Sequence, residues 1–214
     1  MDGYPGYYKV AGVILVGCWA HARRKYDEAL KAVPEAKGDK DTVAGQGLAY
    51  CNQLFAIERD LQGATPEERF MARQDRSRPV LDAYYAWLRQ QRSRTMPKSL
   101  LGQAIAYNLN QWDKLTAFLK DGVLEIDNNR SERSIKPFVI GRKNWLFANT
   151  PRGAKASAAI YSVIETAKEN GLHPFRYLMY LFEQLPQLSN LQDPQALEPF
   201  MPWSALLPVT CRIT

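Results

Sequence analysis

Cysteine and histidine are scarce in this chain of 214 residues, with three of the first and two of the second. Cys18, Cys51 and Cys211 are widely spaced and odd in number, which excludes a disulfide framework. Cys18 and His21 have the spacing of half a zinc site, but no second Cys/His pair follows and the other histidine, His173, is remote. The pattern favours a buried thiol beside a helix start over a zinc site. The same pair is a poor nucleophilic centre, because no third group orients it. Long aliphatic runs are missing too: Val13-Ile14-Leu15-Val16 is far short of a membrane span. Met1-Asp2-Gly3-Tyr4 lacks the basic start and apolar stretch of a secretory signal. A cytoplasmic protein with no membrane partner is expected. The Gly153 region matches neither a P-loop nor a dinucleotide fingerprint, which argues against nucleotide cradling there.

What is present is a foldable, basic chain. Hydrophobic residues make up 46% and charged residues 23%, enough to bury a core and too apolar for disorder. The formal net charge is +6. Between Asn128 and Lys155 seven basic residues (Arg130, Arg133, Lys136, Arg142, Lys143, Arg152, Lys155) face one acid, Glu132. That window carries as much net charge as the whole chain, so the remainder is near balance. A concentrated positive segment suits a polyanionic partner.

Periodicity organises the chain. Val13 to Cys18 is apolar and β-branched and predicts a buried strand. A helix is expected from Trp19 to about Val33, ending before Pro34. Tyr50, Leu54, Ile57 and Leu61 keep helical spacing up to Gly63. Thr65-Pro66-Glu67-Glu68 combines a cap, a first-position proline and a capping-box glutamate. That helix should break or bend near Pro79 and resume through Leu81, Tyr84, Tyr85 and Leu88. Beyond Pro97, a further helix carries Leu101, Ile105, Leu109, Trp112 and Leu119 on one face. Asp127 can cap a short helix from Asn128 to Ile135, stopped by Pro137. Asn144 to Phe147 predicts a short extended segment. Thr150-Pro151 opens a helix to Gly171, and Pro174 opens one to about Leu185. Five prolines from Pro186 onward predict loops, short turns or a tail packed on the body. The fold expected is mainly α with a small β remnant. One strand cannot satisfy its own edges, so its partners are expected from upstream sequence or another chain.

Two stretches could carry chemistry. Ile126-Asp127-Asn128-Asn129-Arg130-Ser131-Glu132-Arg133 reads either as a surface helix capped by Asp127 or as an acidic metal ligand beside phosphate-binding groups. Gly141-Arg142-Lys143-Asn144-Trp145-Leu146-Phe147 interleaves cations with rings, as nucleic-acid binding does, although Trp145 and Phe147 fit a core equally well.

Four passages together resemble the insertion-sequence-66 family of bacterial transposases: Asp2 to Tyr7, Gly17-Cys18-Trp19-Ala20-His21-Ala22-Arg23-Arg24-Lys25-Tyr26, Asp127 to Pro137, and Gly141 to Phe147. The helix from Ala158 to Gly171 fits as well, and the likeness runs over about residues 2–185. The resemblance implies a ribonuclease-H-like α/β core, here truncated and interrupted by a helical insertion. Residues 1–38 would be a remnant of that core, 39–121 the insertion, 122–185 the part with the glutamate helix and basic window, and 186–214 a Pro-rich tail. It implies an Asp-Asp-Glu triad that holds two magnesium ions. These activate water, then a DNA 3′-hydroxyl, for in-line attack at phosphorus. Asp2 takes the place of the second aspartate and Glu132 that of the glutamate, as catalytic residues and metal ligands. The first aspartate belongs to a segment that these residues do not include, so a truncated, inactive fragment is expected. DNA would be held by Arg130, Arg133, Lys136, Arg142, Lys143, Asn144, Trp145, Arg152 and Lys155. The alternatives are a non-catalytic DNA-binding module or a subunit that complements another transposase chain or a copy of itself.

Overall fold

The computed structural model describes residue 9 and residues 11–32, 42–141 and 150–213. The chain divides into two compact units, Met1–Ser131 and Glu132–Thr214.

In the first unit, α1 (Trp19–Lys31) packs against α2 (Val43–Asp60) and α5 (Leu100–Asn110). The contact with α2 is close because Gly47 has no side chain: a Cβ there would run into the Tyr26 ring. Helix α3 (Pro66–Ala72) begins at the expected capping box, with Thr65 Oγ1 accepting from the Glu68 amide and Glu68 Oε2 from the Thr65 amide. Gly63, just before it, has φ +84°, a conformation that favours glycine. A π-helical turn, Arg73–Ser77, joins α3 to α4 (Arg78–Arg92). The irregularity expected at Pro79 therefore falls one turn earlier. Pro79 itself sits in the first turn of α4, where a missing N–H costs little. Helix α6 (Trp112–Leu115) and a 3₁₀ turn, Thr116–Lys120, close the unit.

The core gathers the apolar faces of all these helices. Trp19, Tyr26, Leu54, Tyr84, Leu88, Ile105 and Phe118 are buried in it. The Trp19 ring lies 6.0 Å from Tyr84 and 6.4 Å, edge-on, from Phe118. The Tyr26 and Tyr84 hydroxyls share a 2.7 Å hydrogen bond, so neither is buried unpaired.

One expectation fails here. Residues 13–18 are not a strand, and the described residues contain none; the sole β-bridge joins Leu172 and Arg212. Val13 and Ile14 are exposed, at 51% and 71%. The Gly17 amide instead donates to the Lys114 carbonyl, at 2.8 Å, in a helical connection. β-Branched residues favour a pleated surface where a partner strand exists, and the described residues supply none.

Burial pushes the Cys51 thiol up from 9.0 to about 12 and raises the Tyr26 and Tyr84 hydroxyls as well. Above about pH 9 an unfolded Cys51 loses a proton that the folded state keeps, so stability falls with rising pH up to about 12. The first unit should melt several degrees lower near pH 10 than near pH 8. A transition temperature that is flat across that range would contradict this.

In the second unit, α8 (Pro151–Glu169) and α9 (Pro174–Gln184) meet at Gly171, φ +69°. Ala167, Leu172 and Tyr177 form a small core with Leu207 and Cys211. The proline-rich segment is packed as short turns: the His173 amide donates to the Cys211 carbonyl at 2.8 Å, and the Tyr177 hydroxyl to the Phe200 carbonyl at 2.7 Å. Among the described residues no helix is long and apolar enough to cross a membrane.

Candidate nucleic-acid interface

Helix α7 (Asn129–Gly141) carries the glutamate passage. Its start is fixed by Asp127, whose Oδ1 accepts from the Asn129 amide at 3.0 Å and whose Oδ2 accepts from Asn129 Nδ2 at 2.7 Å. Asp127 thus closes a tight turn at the head of α7. Arg130 pairs with Glu125 at 3.2 Å, with both side chains about half exposed. Such a surface pair contributes little stability and leaves the guanidinium accessible.

Beyond that turn, Glu132, Arg133 and Lys136 are exposed on α7. The helix does not stop at Pro137 as expected; the proline lies inside it. An internal proline removes one ladder bond and crowds the preceding turn, which costs about 3 kcal/mol. On the next residue, the Phe138 ring meets Tyr161 of α8 edge-on, 5.3 Å between centroids, which offsets part of that cost. Helix α8 begins at Thr150, whose Oγ1 accepts from the Gly153 amide at 3.1 Å. Arg152 and Lys155 are exposed near that end, and no acid stands in its first turn. A helix N-terminus flanked by cations is a favourable place for phosphate.

Asp2, Arg142, Lys143, Asn144 and Trp145 lie outside the described residues, as do Phe147 and the segment expected to be extended. Among the described residues no group of three or more His, Cys, Asp or Glu could hold a metal ion. Glu132 is the implied ligand that lies among the described residues, and a two-metal site takes further carboxylates beside it. Cys18 is buried at the N-cap of α1, the structural role expected of it.

The fold also brings together residues that local patterns leave apart. The Trp19 amide donates to the Ile126 carbonyl at 3.1 Å, which sets the start of α1 beside the Asp127 turn. Arg23 and Arg24 of α1, with Arg59 of α2, line one cleft with Asp127 and Asn129. No role follows for them from the sequence, because each sits in an ordinary amphipathic helix pattern.

Comparison with known proteins matches both parts of this layout. The Transposase IS66 family matches residues 1–156, most of the chain. The chain belongs to the IS66 transposase family. Residues 162–203 match the IS66 C-terminal element, which covers the C-terminal part of α8, all of α9 and the turns after it up to residue 203. Among curated relatives, the uncharacterized protein y4jD of Sinorhizobium fredii is 34% identical over 215 aligned residues, covering 95% of this chain and 40% of the relative. The uncharacterized protein y4hP of the same organism is 34% identical over 176 residues, covering 79% of this chain and 32% of the relative. The chain thus spans about a third to two fifths of the length of the curated relatives it matches. No solved structure matches.

Proposed function

We propose that this chain is the C-terminal part of the catalytic region of an IS66-family transposase, acting on DNA in the bacterial cytoplasm. In this reading it binds DNA through the basic faces of α7 and α8. One observation carries the reading: within the family match, the glutamate passage forms an exposed helix whose other charged residues, Arg130, Arg133 and Lys136, are all basic. Glu132 would be the glutamate of the acidic triad and Asp2 its second aspartate. The family's magnesium pair would be held by these two together with the triad's first aspartate. The segment 39–121 would be an insertion in a ribonuclease-H-like core. A second reading is a DNA-binding subunit that completes its site with another transposase chain. The exposed basic residues of α7 and α8 suit it as well.

The test is binding to duplex DNA carrying the insertion-sequence ends, measured across a salt series. Each phosphate contact contributes about 0.9 to the slope of log affinity against log salt. Arg133→Glu combined with Lys136→Glu should weaken binding at least roughly tenfold and flatten that slope by about 2. Binding that ignores salt, or that survives both reversals, would overturn this reading.

A further inference from the structure

We propose that the cleft between α1, α2 and the Asp127–Asn129 turn is a second DNA contact, built to hold phosphates of a DNA strand. It rests on the DNA-binding reading above but uses different residues. The cleft has a volume of about 460 Å³, within the range of ligand-binding clefts. Helix α2 contributes Asn52, Phe55 and Arg59, at spacings of three and four that share one helix face. Helix α1 contributes Arg23 and Arg24.

Charge accounting favours an anion. Two carboxylates line the cleft, and both are engaged within the protein. Asp127 spends both oxygens on Asn129, and Asp27 pairs with Lys31 at 2.6 Å. Among the described residues none of the three guanidiniums has an ion-pair partner within 4.0 Å. Arg23 is oriented by its Nε bond to Asn52 Oδ1, 2.6 Å. All three arginines are exposed, and Phe55 is half-buried between them and the core. Planar guanidinium forks match phosphate oxygens two at a time, which lysine cannot do. An aromatic edge beside them suits a nucleotide better than a bare carboxylate.

The placement is held from below. The hydrogen bonds from the Gly17 amide to Lys114 and from the Trp19 amide to Ile126 pin the start of α1 to the strand of chain that leads into Asp127. The arginines therefore stand on a rigid base formed by the first unit's core.

The experiment compares the full chain with Arg24→Glu/Arg59→Glu and with Arg133→Glu/Lys136→Glu, on single-stranded and duplex oligonucleotides over a salt series. The cleft variant should keep the parental melting temperature, since both side chains are exposed. It should lose at least roughly tenfold in affinity and flatten the single-strand slope by about 1.4, or 0.7 per phosphate. Arg24→Lys/Arg59→Lys should recover only part of the loss. Should the charge reversals disturb folding, Arg24→Gln and Arg59→Gln are read by the same slope. Parental affinity and slope in the cleft variant, with the α7 variant weakened, would overturn the cleft and spare the DNA-binding reading; a cleft serving an acidic protein partner gives that result. A parent chain that binds no DNA would overturn both.

Discussion

Arg73→Ala is expected to lower the unfolding free energy of the first unit by about 3–5 kcal/mol, and its melting temperature by roughly 10 °C. The Arg73 side chain is fully buried and its guanidinium makes five hydrogen bonds. Nε and Nη2 donate to Glu58 Oε1 and Oε2 at 2.8 and 2.7 Å. Nη1 donates to the carbonyls of Phe118 and Asp121 at 2.9 and 3.0 Å, and Nη2 to that of Leu124 at 2.8 Å. One residue thus joins α2, the π turn and the segment that leads to Asp127. Truncation takes its donor from a nearly buried carboxylate and from the carbonyls of Phe118, Asp121 and Leu124, of which Asp121 keeps the Leu124 amide at 3.3 Å, and stranded charge outweighs the lost pair itself. Arg73→Met with Glu58→Leu should therefore recover part of the loss. Denaturant titration of the single and double variants measures it; a single variant within about 1 kcal/mol of the parent would contradict the account.

Trp19→Ala should cost a similar amount, about 3–5 kcal/mol. The indole is fully buried, donates from Nε1 to the Leu115 carbonyl at 2.7 Å, and touches the rings of Tyr84, Trp112 and Phe118. Its removal opens a large cavity at the base of α1 that the helices on three sides cannot close. Trp19→Phe keeps most of the volume and loses the hydrogen bond, and about 1–2 kcal/mol is expected for it. Equal stability of the alanine and phenylalanine variants, by the same titration, would show that the cavity does not set the cost.

These two residues mark where sequence reasoning works and where it stops. Local signals were legible. Thr65 and Glu68 form their capping box, Gly63 and Gly171 take positive φ, and Thr150 caps α8 where proline follows. Each depends only on neighbours along the chain. The failures all depend on distant partners. Val13 to Val16 has strand composition but meets no strand among the described residues. Pro137 lies inside α7, where the next residue, Phe138, packs on Tyr161 from a later helix. Arg73 reads as one more surface cation in a run of charges, and its carbonyl partners lie 45 to 51 residues further on. The glutamate helix was legible for the opposite reason: Asp127 to Pro137 is one contiguous passage. The cleft arginines were not, since Arg24 and Arg59 come from different helices that only the fold makes neighbours.

The central claim is that the chain engages DNA through the exposed basic residues of α7. The most direct measurement incubates the 214-residue protein and its Arg133→Glu/Lys136→Glu variant with labelled insertion-sequence end DNA and separates bound from free strands. The parent should retard the DNA, and the variant should need at least roughly tenfold more protein to do so. A parent that leaves the DNA unretarded, or a variant that binds as tightly as the parent, would contradict it.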